Sequence, residues 1–209
     1  AVMIEPIQGE GGIRPLPPQC LKGLRELCDE RGALLILDEI QTGVGRSGRL
    51  FAHELAGVTP DVMPIAKAIG GGFPLGAVLA TERAASGMTA GTHGSTYGGN
   101  PLGCAVGLAV MKRVTAPGFL EEVRRKAARL AQKLEGLVAA HPTVLAGVRG
   151  EGLMIGLECR AANVEVVKAG YDAGILTVPA ADNVVRLLPP LTATDEELAE
   201  AVARLDTAC

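Results

Sequence analysis

Apolar residues in this chain follow two different periods. Short unbroken apolar runs, framed by Gly, Pro or charged residues, occupy positions 1–4, 33–37, the stretch after Pro60 that ends at Lys67, and 76–80. Runs of that length and framing predict buried strands. Between them the period lengthens: Leu21, Leu24, Leu27 and Cys28 fall at helical spacing within 19–31, and Gly32 is a helix stop. Strands alternating with helices predict an α/β architecture with a mainly parallel sheet. Ligands of such sheets gather at the carboxyl ends of the strands.

Past residue 100 the character changes. Pro101 starts a helix to about 114, and 119–140 is a long amphipathic helix rich in Arg, Lys, Glu and Leu. Short strands at 144–148, 153–158 and 184–187, a helix over 164–173 and a last helix from Asp195 complete the pattern. Thr194 followed by Asp195, Glu196 and Glu197 is an amino-terminal cap signal. The chain therefore divides, on this reading, into 1–114, part of a larger α/β domain, and 115–209, a smaller α+β domain.

Composition narrows the function. With 209 residues, 48% hydrophobic and 21% charged, the chain is globular and can bury one sizeable core or two small ones. A formal net charge of −3 gives no basic footprint for nucleic acid or an anionic membrane. Gly, Pro or charge interrupts every apolar run before it reaches membrane-spanning length. Five cysteines (Cys20, Cys28, Cys104, Cys159, Cys209) are an odd number without metal-ligand spacing. They predict free thiols in a reducing, cytoplasmic compartment. Cys20 and Cys28 share one predicted helix, which favours packing over chemistry. His53, His93 and His141 have no metal-site spacing, and no metal is expected. Nothing resembles a signal or transit peptide. Residues 1–4 open inside an apparent strand, the expected look of a piece of a longer protein.

The candidate chemistry centres on residues 61–76, where a lysine ends an apolar run and three glycines follow at once. Lys67 is expected at the mouth of a core, where lost solvation leaves more of it as free amine able to attack a carbonyl. The competing reading is an ammonium that snorkels to the surface. Upstream by 29 residues, the run 33–37 ends in Asp38-Glu39. A nucleotide-hydrolase strand ends this way too, but it needs a G-x-x-x-x-G-K-[ST] loop, and the chain has none. The alternative is an acid facing the ring nitrogen of pyridoxal phosphate, whose protonated ring stabilises a carbanion. A strand-end Asp that merely caps its own turn is the bland possibility.

Together Asp38-Glu39-Ile40-Gln41-Thr42-Gly43, Lys67-Ala68-Ile69-Gly70-Gly71-Gly72 and His93-Gly94-Ser95-Thr96-Tyr97-Gly98-Gly99-Asn100-Pro101 resemble the class III pyridoxal-phosphate aminotransferases, within them the acetylornithine and ornithine group. The resemblance runs along essentially the whole chain. It implies the aspartate-aminotransferase-like fold type I, here a partial large domain plus the smaller domain, with pyridoxal 5′-phosphate as cofactor. Lys67 is implied as the cofactor's covalent anchor and the carrier of the proton between Cα and C4′. Asp38 is implied to pair with the pyridinium nitrogen and Gln41 to hydrogen-bond the ring's 3-oxygen. Thr96, with Ser95, is implied to bind the phosphate of the neighbouring subunit's cofactor, making a homodimer the working unit. Arg186, in the apolar strand 184–187, is implied to grip an α-carboxylate, and Glu10 to pair with it and release it for glutamate. An exposed loop acid and a structural ion pair are the competing readings of those two.

The implied reaction moves an amino group from N-acetylornithine, or a related ω-amino compound, to 2-oxoglutarate by a ping-pong route. Ornithine, succinylornithine and 4-aminobutyrate are the near alternatives as donors. Family members carry a further portion, expected ahead of residue 1, that supplies a phosphate-cupping turn, a ring-stacking aromatic and usually an arginine for the distal carboxylate. An aromatic content of 2% agrees with its absence. A truncated homologue that only dimerises with a partner is the non-enzymatic alternative.

Overall fold

The computed structural model describes all 209 residues, which form two compact units: residues 1–6 with 16–119, and residues 7–15 with 120–209. In the first unit, strands β1 (Val2–Ile4), β4 (Leu35–Leu37), β5 (Val62–Ile65) and β6 (Ala77–Ala80) form one sheet in that order; the hairpin strands β2 (Ile7–Gln8) and β3 (Arg14–Pro15), which follow β1 in sequence, pair only with each other and belong to the second unit. β1, β4 and β5 are parallel, with Val2 opposite Leu35 and Ile36 opposite Val62, while β6 runs antiparallel to β5.

Helix α1 (Pro18–Arg31) covers this sheet. Its Leu21 and Cys28 are buried with Leu35, Leu37, Ala56 and Val58, and Val2, Ile4 and Leu24 pack alongside. Pro at the first turn and Gly32 at the end, left-handed at φ 63°, delimit it. Cys28 thus packs as expected, whereas Cys20 is exposed. The outer strands are less buried than their apolar sequences suggested. Met3 in β1 is 62% exposed and all four residues of β6 are exposed, because each strand lies at an edge of the sheet. After β6 come the one-turn helix α2 (Glu82–Ala85) and the apolar α3 (Pro101–Val114), capped by Asn100, whose Oδ1 accepts from Gly103 N at 2.8 Å.

The second unit is an antiparallel sheet with helices. Strands β7 (Leu145–Glu151), β8 (Met154–Cys159), β9 (Val178–Ala180) and β10 (Val184–Leu187) stand in the order β7-β8-β10-β9. Helix α4 (Phe119–Ala140) precedes them, α5 (Asn163–Asp172) connects β8 to β9, and α6 (Asp195–Ala208) follows β10. α4 buries Val123, Ala127, Leu130, Leu134 and Leu137, the single stripe that helical periodicity predicts. Thr194 caps α6, accepting from Glu197 N at 3.2 Å while the Glu197 carboxylate accepts from Thr194 N at 2.8 Å. Residues 7–15 group with this unit rather than with the residues that flank them in sequence. Their hairpin seats Ile13, fully buried, above Gly156 of β8, where a Cβ would come 3.1 Å from Ile13 Cβ.

Candidate functional site

β4 and β5 lie side by side and parallel, so their carboxyl ends open at the same edge of the sheet. Asp38 directly follows β4. Its N–H donates to Ile4 O at 3.0 Å, and its Oδ1 accepts from Ile40 N at 2.9 Å, turning the chain out of the sheet. The turn-capping role foreseen for this acid is present, and the half-buried carboxylate still has acceptor capacity beyond it.

Successive residues leaving a strand point to opposite sides. Glu39 accordingly points away from Asp38 and is 1% exposed. Its N–H donates to Pro64 O at 3.1 Å, and its carboxylate accepts from the Thr42 hydroxyl, from Ala52 N at 2.9 Å and from His53 N at 2.8 Å. One buried acid thereby fastens the loop 40–53 to the end of β5. Gln41 sits half-buried at the start of that loop. Arg46, further along it, is desolvated, which lowers it to about 10 and leaves it a cation at neutral pH.

Beyond β5, Ala66 is extended and Lys67 then turns left-handed, at φ 48°, to open a single 3-10 turn ending at Gly70. A left-handed non-glycine residue costs about 1–2 kcal/mol, so this backbone is held by its surroundings. The turn packs under α3: a Cβ on Gly71 would come 2.9 Å from Val110 Cγ2. Lys67 is exposed, not desolvated as its apolar run suggested, because it stands past the end of the sheet and starts a surface turn.

Ser95 and Thr96 lie in the exposed loop that leads into α3. Ser95 Oγ accepts from Gly98 N at 2.9 Å, which shapes the loop and leaves its proton available to donate. His93 and Tyr97 are exposed beside them.

The remaining candidates belong to the second unit. Arg186, in β10 opposite Gly156, is 9% exposed. Its Nη1 donates to Glu10 Oε1 at 2.5 Å, across 176 positions of sequence. Glu10 is 71% exposed, so a buried cation is paired with an acid that water reaches freely.

The sequence-predicted residues thus fall into two groups. Asp38, Gln41 and Lys67 share one edge of the first unit, with Ser95 and Thr96 in a loop of that unit, and Arg186 meets Glu10 in the second. Glu39 was missed as the fastener of the loop. The available signal was an acid adjacent to a second acid at a strand end, with Thr42 one turn on.

The first group suits a phosphorylated pyridine aldehyde by its donor set. An amine stands at one strand end, a carboxylate acceptor at the neighbouring one, an amide follows it, and hydroxyls beside glycines lie in the loop. The family of class III aminotransferases matches residues 1–209. The chain belongs to that family. This class III chain is 68% identical to the acetylornithine aminotransferase of Rhodobacter capsulatus, over all of this chain and 53% of that protein. It is 59% identical to the acetylornithine aminotransferase of Mesorhizobium japonicum, over 98% of this chain and 51% of that one.

Among solved structures, N-acetylornithine aminotransferase from Stenotrophomonas maltophilia superposes with a TM-score of 0.89 at 41% identity, covering 99% of this chain and 55% of that one. An ornithine aminotransferase from Toxoplasma gondii, described with partial occupancy of PLP at its active site, gives 0.91 at 36%, covering 99% and 50%. The architecture is therefore the fold type I α/β arrangement of these aminotransferases, in part. The class III chain spans about half the length of the curated relatives it matches. No helix is long and apolar enough to cross a membrane.

Proposed function

We propose that these residues form the lysine-bearing half of a pyridoxal-phosphate-dependent transaminase subunit. It transfers the amino group of N-acetylornithine to 2-oxoglutarate, a step of arginine biosynthesis. The observation that supports this most is the placement of Asp38 and Lys67 just past the ends of adjacent parallel strands, in a chain matched to class III aminotransferases along its full length. Bound pyridoxal phosphate supplies an electron sink for the electrons released when the substrate's Cα–H bond breaks.

Lys67 Nζ would hold the cofactor, and as a free amine it would carry the substrate's Cα proton. Its left-handed backbone fixes where that amine starts from. Asp38 would accept from the ring nitrogen and favour its protonated form, and Gln41 would donate to the ring's 3-oxygen. Glu39, by fastening the loop, holds both of those residues still. Ser95 and Thr96 donate to the cofactor phosphate of the neighbouring subunit, which makes the enzyme a homodimer with active sites shared across the interface.

Arg186 binds the carboxylate of glutamate or 2-oxoglutarate by its planar fork. Glu10 covers Arg186 when the basic ω-amino donor is bound and swings into water when the dicarboxylate arrives. Its 71% exposure supports such a movement, since the carboxylate gives up little by leaving. The five free cysteines support a reducing, cytoplasmic setting, and burial that raises Cys159 to about 11 leaves that thiol inert.

Borohydride reduction of the full-length enzyme with its cofactor, followed by peptide mapping, tests the lysine: the label is expected on Lys67, and a label elsewhere refutes the reading. A donor panel of N-acetylornithine, ornithine, succinylornithine and 4-aminobutyrate with 2-oxoglutarate tests the substrate. N-acetylornithine is expected to give the largest kcat/KM.

A further inference from the structure

We infer that Arg149 is the positioning residue that holds Glu10 against Arg186. The inference rests on the Glu10–Arg186 gate proposed above and names what sets it. An acid that is 71% exposed, on a loop between two-residue strands, is not placed by its own side chain. Its backbone must be held.

The loop 9–13 closes on itself, with Gly12 N and Ile13 N both donating to Gly9 O, at 3.1 and 3.2 Å. Arg149, in β7, then clamps it from outside. Nε donates to Gly12 O at 2.7 Å, Nη1 to Glu158 Oε1 at 2.8 Å and Nη2 to Asp182 Oδ2 at 2.6 Å. All three guanidinium nitrogens are thus engaged, on one carbonyl and two carboxylates, so the planar fork has a single orientation.

Asp182 extends the clamp, since Arg14 also bridges to its Oδ2 at 2.5 Å while Arg14 Nε donates to Gly11 O at 3.2 Å. Next to Asp182, Ala181 N donates to Glu10 O at 3.0 Å. Gly12 has no room for a side chain: a Cβ there would lie 2.6 Å from Ala181 O and 2.8 Å from Arg149 Nη2. The carbonyls of residues 10, 11 and 12 are each held, and the carboxylate of Glu10 is the mobile part. That combination lets the acid leave Arg186 by side-chain rotation alone and return to the same place. Arg149 acts through Glu10 and is not itself a catalytic residue.

The test compares Arg149→Lys, Glu10→Gln and the double variant in the full-length enzyme. The readouts are KM for 2-oxoglutarate, KM for N-acetylornithine, and the Kd of glutarate for the cofactor-free protein by calorimetry. A lysine reaches only one of the three acceptors, so the loop loosens and Arg186 is uncovered for more of the time. Glutarate is expected to bind about 3- to 10-fold more tightly, with KM for 2-oxoglutarate falling and KM for N-acetylornithine rising in proportion. Glu10→Gln is expected to shift the same way and further, and the double variant to match Glu10→Gln alone.

If Glu10→Gln moves neither KM nor Kd, the gate itself is refuted. If Glu10→Gln shifts them and Arg149→Lys does not, or the double variant sums the two effects, the gate stands and the positioning role is overturned. Should Arg149→Lys fail to fold, Asp182→Asn removes the negative charge that Arg149 shares with Arg14 and is expected to give the same direction; no shift there overturns the inference.

Discussion

Glu39 offers the sharpest test of how the site is held. Its carboxylate serves three donors, and two of them are out of reach of water: the Thr42 hydroxyl is fully buried and Ala52 is 1% exposed. Glu39→Ala leaves both unsatisfied, and an orphaned buried donor costs about 1–3 kcal/mol. His53 N is only half-buried and recovers a water in the variant. The sum is about 4 kcal/mol, close to the cost of breaking a buried charged network by removing one member. Glu39→Gln keeps one oxygen and turns an NH2 towards a donor, so about 2 kcal/mol is expected.

Hydrogen exchange at single amides reads this directly. At about 1.4 kcal/mol per factor of ten, the Ala52 and His53 amides are expected to exchange about 1000-fold faster in Glu39→Ala and about 30-fold faster in Glu39→Gln. The amide of Arg186 in the other unit serves as the internal control. Unchanged exchange at Ala52 and His53 in Glu39→Ala would refute the fastening role.

Three further outcomes are expected. Burial raises the Asp61 carboxyl, but the Leu35 N–H at 2.8 Å and Arg25 at 2.9 Å outweigh it and hold it below its ordinary value. The unfolded chain therefore takes up the proton first. Its stabilisation is complete above about pH 4 and is lost as pH falls through the folded value, so Asp61→Asn should flatten the fall of the urea midpoint below pH 4. Thr194→Ala removes one side of a reciprocal cap and should cost about 1 kcal/mol in chemical unfolding, with Thr194→Ser nearly neutral. Leu134→Ala, at a fully buried position on the α4 stripe, should cost about 2–5 kcal/mol by the same measurement, and less than 1 kcal/mol would mean that the helix face is not packed as described.

Local chemistry made much of this protein legible from sequence. The helices Pro101–Val114 and Phe119–Ala140 and the strand Val184–Leu187 have the expected bounds, because prolines, caps and apolar periods act over a few residues. That Lys67 and Asp38 follow neighbouring strands was legible because both end apolar runs. The two-residue strands β2 and β3, the short β9 and the one-turn α2 were not, since elements so short carry no period. Edge exposure escaped too: β1 and β6 have core-like sequences, and only strand order says which strands have one neighbour.

By itself, then, the sequence determined the order of the longer elements, the motifs and the family they resemble, all consequences of near neighbours along the chain. The tertiary structure decided which of two adjacent acids stays half-buried at its own turn and which is buried as the loop's fastener. It also decided that Lys67 is exposed, that Arg186 meets Glu10, and that Arg149 clamps the loop that carries Glu10. Those are contacts between residues far apart in sequence, made only when sheets bring strand ends together.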